Sequence, residues 1–402
     1  MYAILVMVIV CAVSISLLGF FNTGSSYFDR LLQKEKSDQY SCSGINWLAS
    51  DDLSFEMSYE FNYPDGLSLV TEKKRWGGYD LYLSTVIAAN GDTLSSRKAL
   101  IGAKKGLYDT ALYIRDNEQP AYIAENVRIT GKSFVPLGKF SAYGINRDQP
   151  VQAFESTEDL VPLNNAEPVL SWLNSIISDG GIFTSGKIFS SNFSSDFGNP
   201  SMIISGDTVS ISCRLEGNII ILAETIVAME GATLWNTILI AKSIYLPEGF
   251  TGSLQAFATD TIKVGKYSKI KHPSILSLLP EMNKKATRKD KIHPFLYVGE
   301  SSLITAEIIA YDDRINRQKT SLIDVGSGSV VMGGIYSTGN LKMEGTCIGT
   351  IHCNKFIGTV NFNLQENLLK NININIDSLP SFYCFSNLFP VTGDKKIIAT
   401  VN

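Results

Sequence analysis

The sequence predicts a mainly β protein on one N-terminal transmembrane helix: the helix, a small antiparallel β region, then a β-solenoid (β-helix) with a C-terminal cap. Three observations predict it. Residues 2–21 form an uncharged apolar run, residues 55–61 alternate with the period of a strand, and one tripeptide pattern recurs every 17 or 18 residues in mid-chain. The expected boundaries are 1–50 for the helix and its stalk, 51–118 for the small β region, 119–360 for the solenoid with an insertion at 271–294, and 361–402 for the cap.

The apolar run YAILVMVIVCAVSISLLGFF has twenty residues, of which only Ser14 and Ser16 are polar. At about 1.5 Å per helical residue it reaches about 30 Å, the thickness of a bilayer core. A secretory signal peptide carries a basic n-region and a shorter apolar core. Here no basic residue precedes the run, no small-x-small motif closes it, and the bulky Val10 before Cys11 does not suit lipoprotein processing. A retained single-pass anchor is expected, with the lipid bilayer as its partner through residues 2–21. Arg30, Lys34 and Lys36 follow the span, which favours a cytoplasmic bulk. They are interleaved with Asp29, Glu35 and Asp38, and the first arginine lies nine residues past the span, so both orientations stay open. The polar stretch SSYFDRLLQKEKSDQY continues the helix as a stalk, giving one helix of about 45 residues.

SFEMSYEFNY then places Phe55, Met57, Tyr59 and Phe61 on one face and Glu56, Ser58, Glu60 and Asn62 on the other, as in a half-buried strand. PDG at 64–66 and NGD at 90–92 are turn signals. LSLV, GYDLYLSTVIA and RKALIGAK supply three more strands of an antiparallel meander. A long apolar helix, an amphipathic extension and a compact β head resemble a type IV pilin, and WGGYDLYLSTVIAANGDTLSSRKALIGA resembles the sheet of minor pilins. The chain differs from pilins in lacking a Phe-Thr-Leu-Ile-Glu start, a basic leader and a glutamate within residues 2–21. The resemblance covers the first 105 residues or so and implies partners of the same kind: other membrane helices or pilin-like subunits.

The repeat is Asp207-Thr208-Val209, Glu224-Thr225-Ile226, Lys242-Ser243-Ile244 and Asp260-Thr261-Ile262, with hydroxyls 17, 18 and 18 residues apart. Gly231 and Gly249 mark turns 18 apart, and Ala306-Glu307-Ile308 and Gly333-Gly334-Ile335 read as weaker copies. Short strands at fixed spacing suit a solenoid whose coils stack at about 4.8 Å with inward Ile, Val and Leu. A β-sandwich also has many short strands but does not repeat one tripeptide at this spacing. The alternation IIILAETIVAMEG and ILIAKSIYLPEG within 219–270 resembles bactofilins, polymer-forming β-helices, which implies self-assembly. Residues 121–136 are expected to open the solenoid, and 158–177 to form a helix or a cap packed on it. The insertion KHPSILSLLPEMNKKATRKDKIHP is expected to be an exposed loop with a short helix at 275–282. Its run Lys284, Lys285, Arg288, Lys289 and Lys291 suits a solvated loop or contact with acidic groups. ALYIRDNEQP at 111–120 and the pattern at 367–380 are similar to uncharacterised membrane-anchored bacterial proteins, a resemblance that implies no activity.

Chemistry is sparse. Charged residues are 18 % and the net charge is −4, which excludes a disordered chain and a broad grip on nucleic acid. His272, His293 and His352 have no metal-type spacing, and neither H-E-x-x-H nor G-x-S-x-G occurs. Cys11, Cys42, Cys213, Cys347, Cys353 and Cys384 include no C-x-x-C pair. Buried free thiols are expected, with a Cys347–Cys353 disulfide left open. Asp312-Asp313-Arg314 with Arg317 is the one acidic pair near the repeat that could serve a polysaccharide-cleaving β-helix, and loop aromatics such as Trp235 could stack on a sugar. Both read better as surface features, so no catalytic, cofactor-binding or metal-ligating residue is assigned. The expectation is a non-catalytic structural component of the bacterial cell envelope, pilin-like or adhesin-like, with its bulk periplasmic or extracellular. The alternatives are a bactofilin-like scaffold tethered to the cytoplasmic face, and a polysaccharide-acting β-helix enzyme.

Overall fold

The computed structural model describes residues 2–50, 53–104, 110–143, 153–157, 163, 166–179, 187–280, 293–312, 320–389 and 395–401. The chain is mainly β, with one long apolar N-terminal helix, and divides into two compact units. The first comprises residues 1–74 and 81–99; the second comprises 75–80 and 100–402.

In the first unit α1 (Tyr2–Ser50) runs unbroken for 49 residues. Its only buried side chains are Ser37, Ser41, Gly44, Ile45 and Leu48, a stripe with helical spacing near its C-terminal end. The stripe is small where the sheet comes close. A Cβ on Gly44 would lie 2.8 Å from Thr71 Cγ2 and collide with Ser84 Oγ. The contact is also polar: Ser95 Oγ donates to Asp38 Oδ1 at 2.7 Å and lies 3.1 Å from Ser41 Oγ. Tyr40 stacks on Tyr63 at 3.9 Å, and Trp47 meets Tyr59 and Phe61 edge-on. The sheet beneath has the order β1 (Ser58–Asn62), β2 (Leu67–Trp76), β3 (Tyr79–Ala88), β4 (Thr93–Ala103). β1 and β2 pair antiparallel, with Ser58 opposite Glu72. Gly66 takes φ +79° in the 64–66 turn and Gly91 φ +87° in the 90–92 turn, both where the sequence signals them.

The second unit is built on parallel pairing. The strands Met202–Ile211, Arg214–Ala228, Thr233–Leu246 and Thr251–Val264 stack in chain order with no helix between them. Thr208 pairs with Thr225, Thr225 with Ser243, and Ser243 with Thr261, so the sequence repeat is the hydrogen-bonding register. One inward column runs Val209, Ile226, Ile244, Ile262, Leu296, Ile323, and a second runs Ile204, Ile221, Leu239, Ala256, Leu276, Ile308, Ile335. Both belong to one core cluster. Each fully buried Ile or Leu contributes about 1.5–3 kcal/mol relative to exposure. Serines satisfy backbone amides at one corner: Ser268 N donates to Ser302 Oγ and Ser302 N to Ser329 Oγ, both at 3.2 Å.

Four expectations change. Ala306-Glu307-Ile308 and Gly333-Gly334-Ile335 are not further copies of the tripeptide column, because Ile308 and Ile335 continue the second column. Ile275–Leu278 is a strand rather than a helix; all four residues are buried, and they pair with 255–258 on one side and 307–310 on the other. Residues 121–136 do not open the stack. Leu112 pairs with Ile351, Val127 with Ile372, and Phe154 with Phe134, so the strands within 110–135 and at 153–155 stack beyond 345–375. Ile372–Asn375, expected within a terminal cap, is paired on both edges and continues the stack, since its inward Ile372 and Ile374 need neighbours above and below. The expected helix is present at Ala166–Asp179, with Val169 and Leu173 buried one turn apart. Residues 281–292, with the basic run, lie outside the described residues.

Successive turns approach most closely at Gly349, which has φ +147° and whose Cβ would overlap the carbonyl oxygen of Gly333. Gly349→Ala is expected to cost more than about 2 kcal/mol. Gly231→Ala, at φ +83° in open space, should cost about 1 kcal/mol. Denaturant unfolding of both variants in detergent measures the difference.

Candidate functional site

Two features stand out: the bare anchor helix and a buried polar cluster. Along α1 an 18-residue window reaches a mean hydropathy of 2.9 with none of it buried, so the helix is long and apolar enough to cross a membrane. Hydroxyls in and just beyond the run bond back to the helix's own carbonyls. Ser16 Oγ donates to Ala12 O at 2.9 Å, and Thr23 Oγ1 to Gly19 O at 2.8 Å, as a lipid environment requires. Tyr27, Phe28, Leu31 and Leu32 remain exposed beyond the span.

The cluster lies in the second unit, among the turn 75–80, the sheet column Gln255, Ile275, Glu307, and the segment 380–389. Gln255 reaches the turn through both ends of its amide, accepting from Gly78 N at 2.8 Å and donating to Trp76 O at 3.1 Å. Glu307 is fully buried and accepts hydrogen bonds from the backbone N and the Oγ of Ser386. Burial pushes its carboxyl up to about 7, against the lowering effect of the Ser386 bonds. The fully buried hydroxyls of Tyr79 and Tyr383 are raised by burial and by the charge of Glu307. His272 Nε2 lies 2.9 Å from Cys384 O, and burial lowers its pKa. Asp80 is held at one oxygen by Asn387 Nδ2 at 2.7 Å and at the other by Lys395 Nζ at 3.2 Å. His352, stacked 5.8 Å from Tyr113 and edge-on to Phe389, has an unpartnered Nδ1 and is lowered by burial to about 4.

The residues singled out from sequence are not gathered here. Asp312 donates its amide to Thr338 Oγ1 at 2.9 Å, while Asp313, Arg314 and Arg317 lie outside the described residues. Trp235 carries the Lys271 ammonium 5.1 Å above its ring. All six cysteines are free; Cys347 and Cys353 are buried, and burial raises both thiols, Cys347 to about 12. Among the described residues no group of three or more His, Cys, Asp and Glu could hold a metal. Glu307 was hidden in the sequence because AEII reads as one more outward charge in the repeat; it does face outward, beside the inward Ile308, and is buried because residues 380–389 cover it. Comparison with protein-family models, with curated proteins and with solved structures finds no match.

The folded state holds His352 neutral. With a folded pKa near 4 against an ordinary 6.5, its contribution is full above pH 6.5 and is lost as pH falls through 4, on the order of 3 kcal/mol. His352→Phe, which keeps a ring against Tyr113, should flatten the unfolding midpoint across that window. An unchanged midpoint-versus-pH curve would count against the assignment.

Proposed function

We propose that the chain is a non-catalytic structural component of the bacterial cell envelope, pilin-like or adhesin-like, anchored by residues 2–21 and displaying its bulk outside the cytoplasm. In this reading the parallel stack is a β-solenoid and serves as a rigid scaffold. The observation that carries it is the pairing of an entirely bare apolar helix with a strand register that repeats in step with the sequence. A register locked by inward Ile, Val and Leu gives a stiff body by adding one rung to the next. The exposed apolar surface of α1 beyond the span, at Tyr27, Phe28, Leu31 and Leu32, offers a lateral face to other membrane helices. The buried Tyr79, Glu307 and Tyr383 are closed to a diffusing substrate, which favours a structural role over a polysaccharide-acting one.

Arg30, Lys34 and Lys36 favour the second reading, a bactofilin-like scaffold on the cytoplasmic face. Cys42 separates the two, because it is exposed, lies beyond the apolar run, and the other cysteines outside that run are buried. A membrane-impermeant maleimide on intact cells should label the wild type and not Cys42→Ser. Protection in intact cells with labelling after lysis would transfer the proposal to the cytoplasmic scaffold.

Anchoring has its own test. An arginine near the middle of a span costs about 2.5–3.5 kcal/mol on insertion scales. Val10→Arg with Val13→Arg should therefore move the protein from the carbonate-washed membrane pellet to the supernatant. Retention of the double variant in the pellet would refute anchoring by this segment.

A further inference from the structure

We propose that Glu307 is a proton-operated latch that clamps residues 380–389 across the sheet face, closed while its carboxyl carries a proton and released when that proton leaves. The geometry is that of a clamp. Residues 380–389 cross several rungs of the second unit: Ser386 sits on Glu307, Tyr383 on Gly333, and Phe389 on Gly334. Gly333 and Gly334 leave no room for a Cβ, since Tyr383 Oη and the Phe389 ring occupy that space. The segment therefore lies flush on the strand. Its other fastenings include Phe385, which exchanges backbone bonds with Ala103 at 2.8 and 2.9 Å, the Asn387 N–H on Gly78 O at 2.7 Å, Asn387 Nδ2 on Asp80 Oδ1 at 2.7 Å, His272 Nε2 against Cys384 O at 2.9 Å, and Lys396 Nζ on Ser381 O at 3.0 Å.

Among the described residues, no cation is directed at a carboxylate in this position. The ionisable groups around it are Tyr79 from the turn, His272 from the stack, and Tyr383 and Cys384 from the clamped segment. Burial lowers the His272 pKa and so disfavours its charged form, and it keeps both tyrosine hydroxyls protonated. Asp80 nearby is itself an acid, and its Lys395 ammonium is directed to it at 3.2 Å. Lys104 and Lys396 act on Cys384. A protonated Glu307 needs no counter-charge and can share its proton with Ser386 Oγ. An ionised one keeps the two Ser386 bonds but stays unpaired away from water, which is costly.

The sign follows from the raised carboxyl. The folded value, about 7, lies above the ordinary 4.5. The clamp is therefore at full strength below about pH 4.5, weakens by about tenfold in the closed-to-open ratio per pH unit between 4.5 and 7, and has lost this contribution above 7. Opening would uncover the Gly333–Gly334 backbone and the ring of Tyr336. The device is separate from anchoring and display, and neither depends on it.

Hydrogen–deuterium exchange of the full-length chain in detergent, corrected for intrinsic rates, reads the clamp directly through peptides spanning 380–389. From pH 5.5 to 8.5 their opening equilibrium should rise more than tenfold in the wild type, while peptides spanning 219–264 stay unchanged. Glu307→Gln keeps the shape and hydrogen bonds without the charge and should hold the segment closed at both pH values. Equal protection at both values in the wild type, or the same pH response in Glu307→Gln, overturns the proposal. Should the variant not fold, infrared spectra of the wild type decide. A protonated-carboxyl band that fades over the range in which the segment opens supports the latch, and its absence at pH 5.5 overturns it.

Discussion

The structure rests on one constraint, the in-register parallel pairing of strands 17 or 18 residues apart. A strand paired in parallel with the next turn of its own chain must put chemically matching side chains on top of one another. Val209, Ile226, Ile244 and Ile262 do so inside, and Thr208, Thr225, Ser243 and Thr261 do so outside. A slip of one residue would exchange the two columns, burying hydroxyls and exposing isoleucines. Register is thus fixed repeatedly by the same small set of choices, and the apolar core follows as one continuous cluster.

The same constraint explains where the chain uses glycine and serine. Turns that stack cannot also carry large side chains at their closest approach, hence Gly333 and Gly349 with positive φ and backbone contact. Corners leave amides without a strand partner, and Ser302 and Ser329 bring hydroxyls that accept from the amides of Ser268 and Ser302 on the rung next door. In the first unit the problem is different but the solution similar. Gly44, Ser41 and Ser37 keep the helix thin where Thr71, Ser84 and Ser95 approach it. The 30-odd residues before them carry no such adaptation and are exposed.

What the sequence made legible was local. The apolar run, the turns at Gly66 and Gly91 and the spacing of the tripeptide all depend on near neighbours or on a fixed offset, and a linear reading captures both; the alternation from Phe55 to Phe61 yields a strand only at Ser58–Asn62, with Met57 and Phe61 exposed. What it hid was set by distant pairing. ILSL at 275–278 has too few residues to tell a strand from a helical turn by periodicity; its pairing with 255–258 and 307–310 decides. Glu307 carries no mark that distinguishes it from Glu224, yet one faces solvent and the other is sealed under Ser386. The polar cluster draws on positions from Tyr79 to Lys395, more than three hundred residues apart, and no motif spans that distance.

That distance also orders assembly. Pairing between 208 and 225 closes a loop of 17 residues, whereas Leu112 on Ile351 closes one of 239. Closing the longer loop costs about 2 kcal/mol more in chain entropy on a logarithmic scale, and its return depends on a surface that exists only once residues 345–353 are stacked. The segment 110–135 leaves the ribosome before 345–375, and beyond its local pairings with itself and 153–155 its partner strands come last. Until then Leu112, Ile114 and Val135 have no core to enter. The rungs from 202 to 264 can form from local contacts alone, and the late, long-range closure by 110–135 then covers the edge they would otherwise leave open at 345–375.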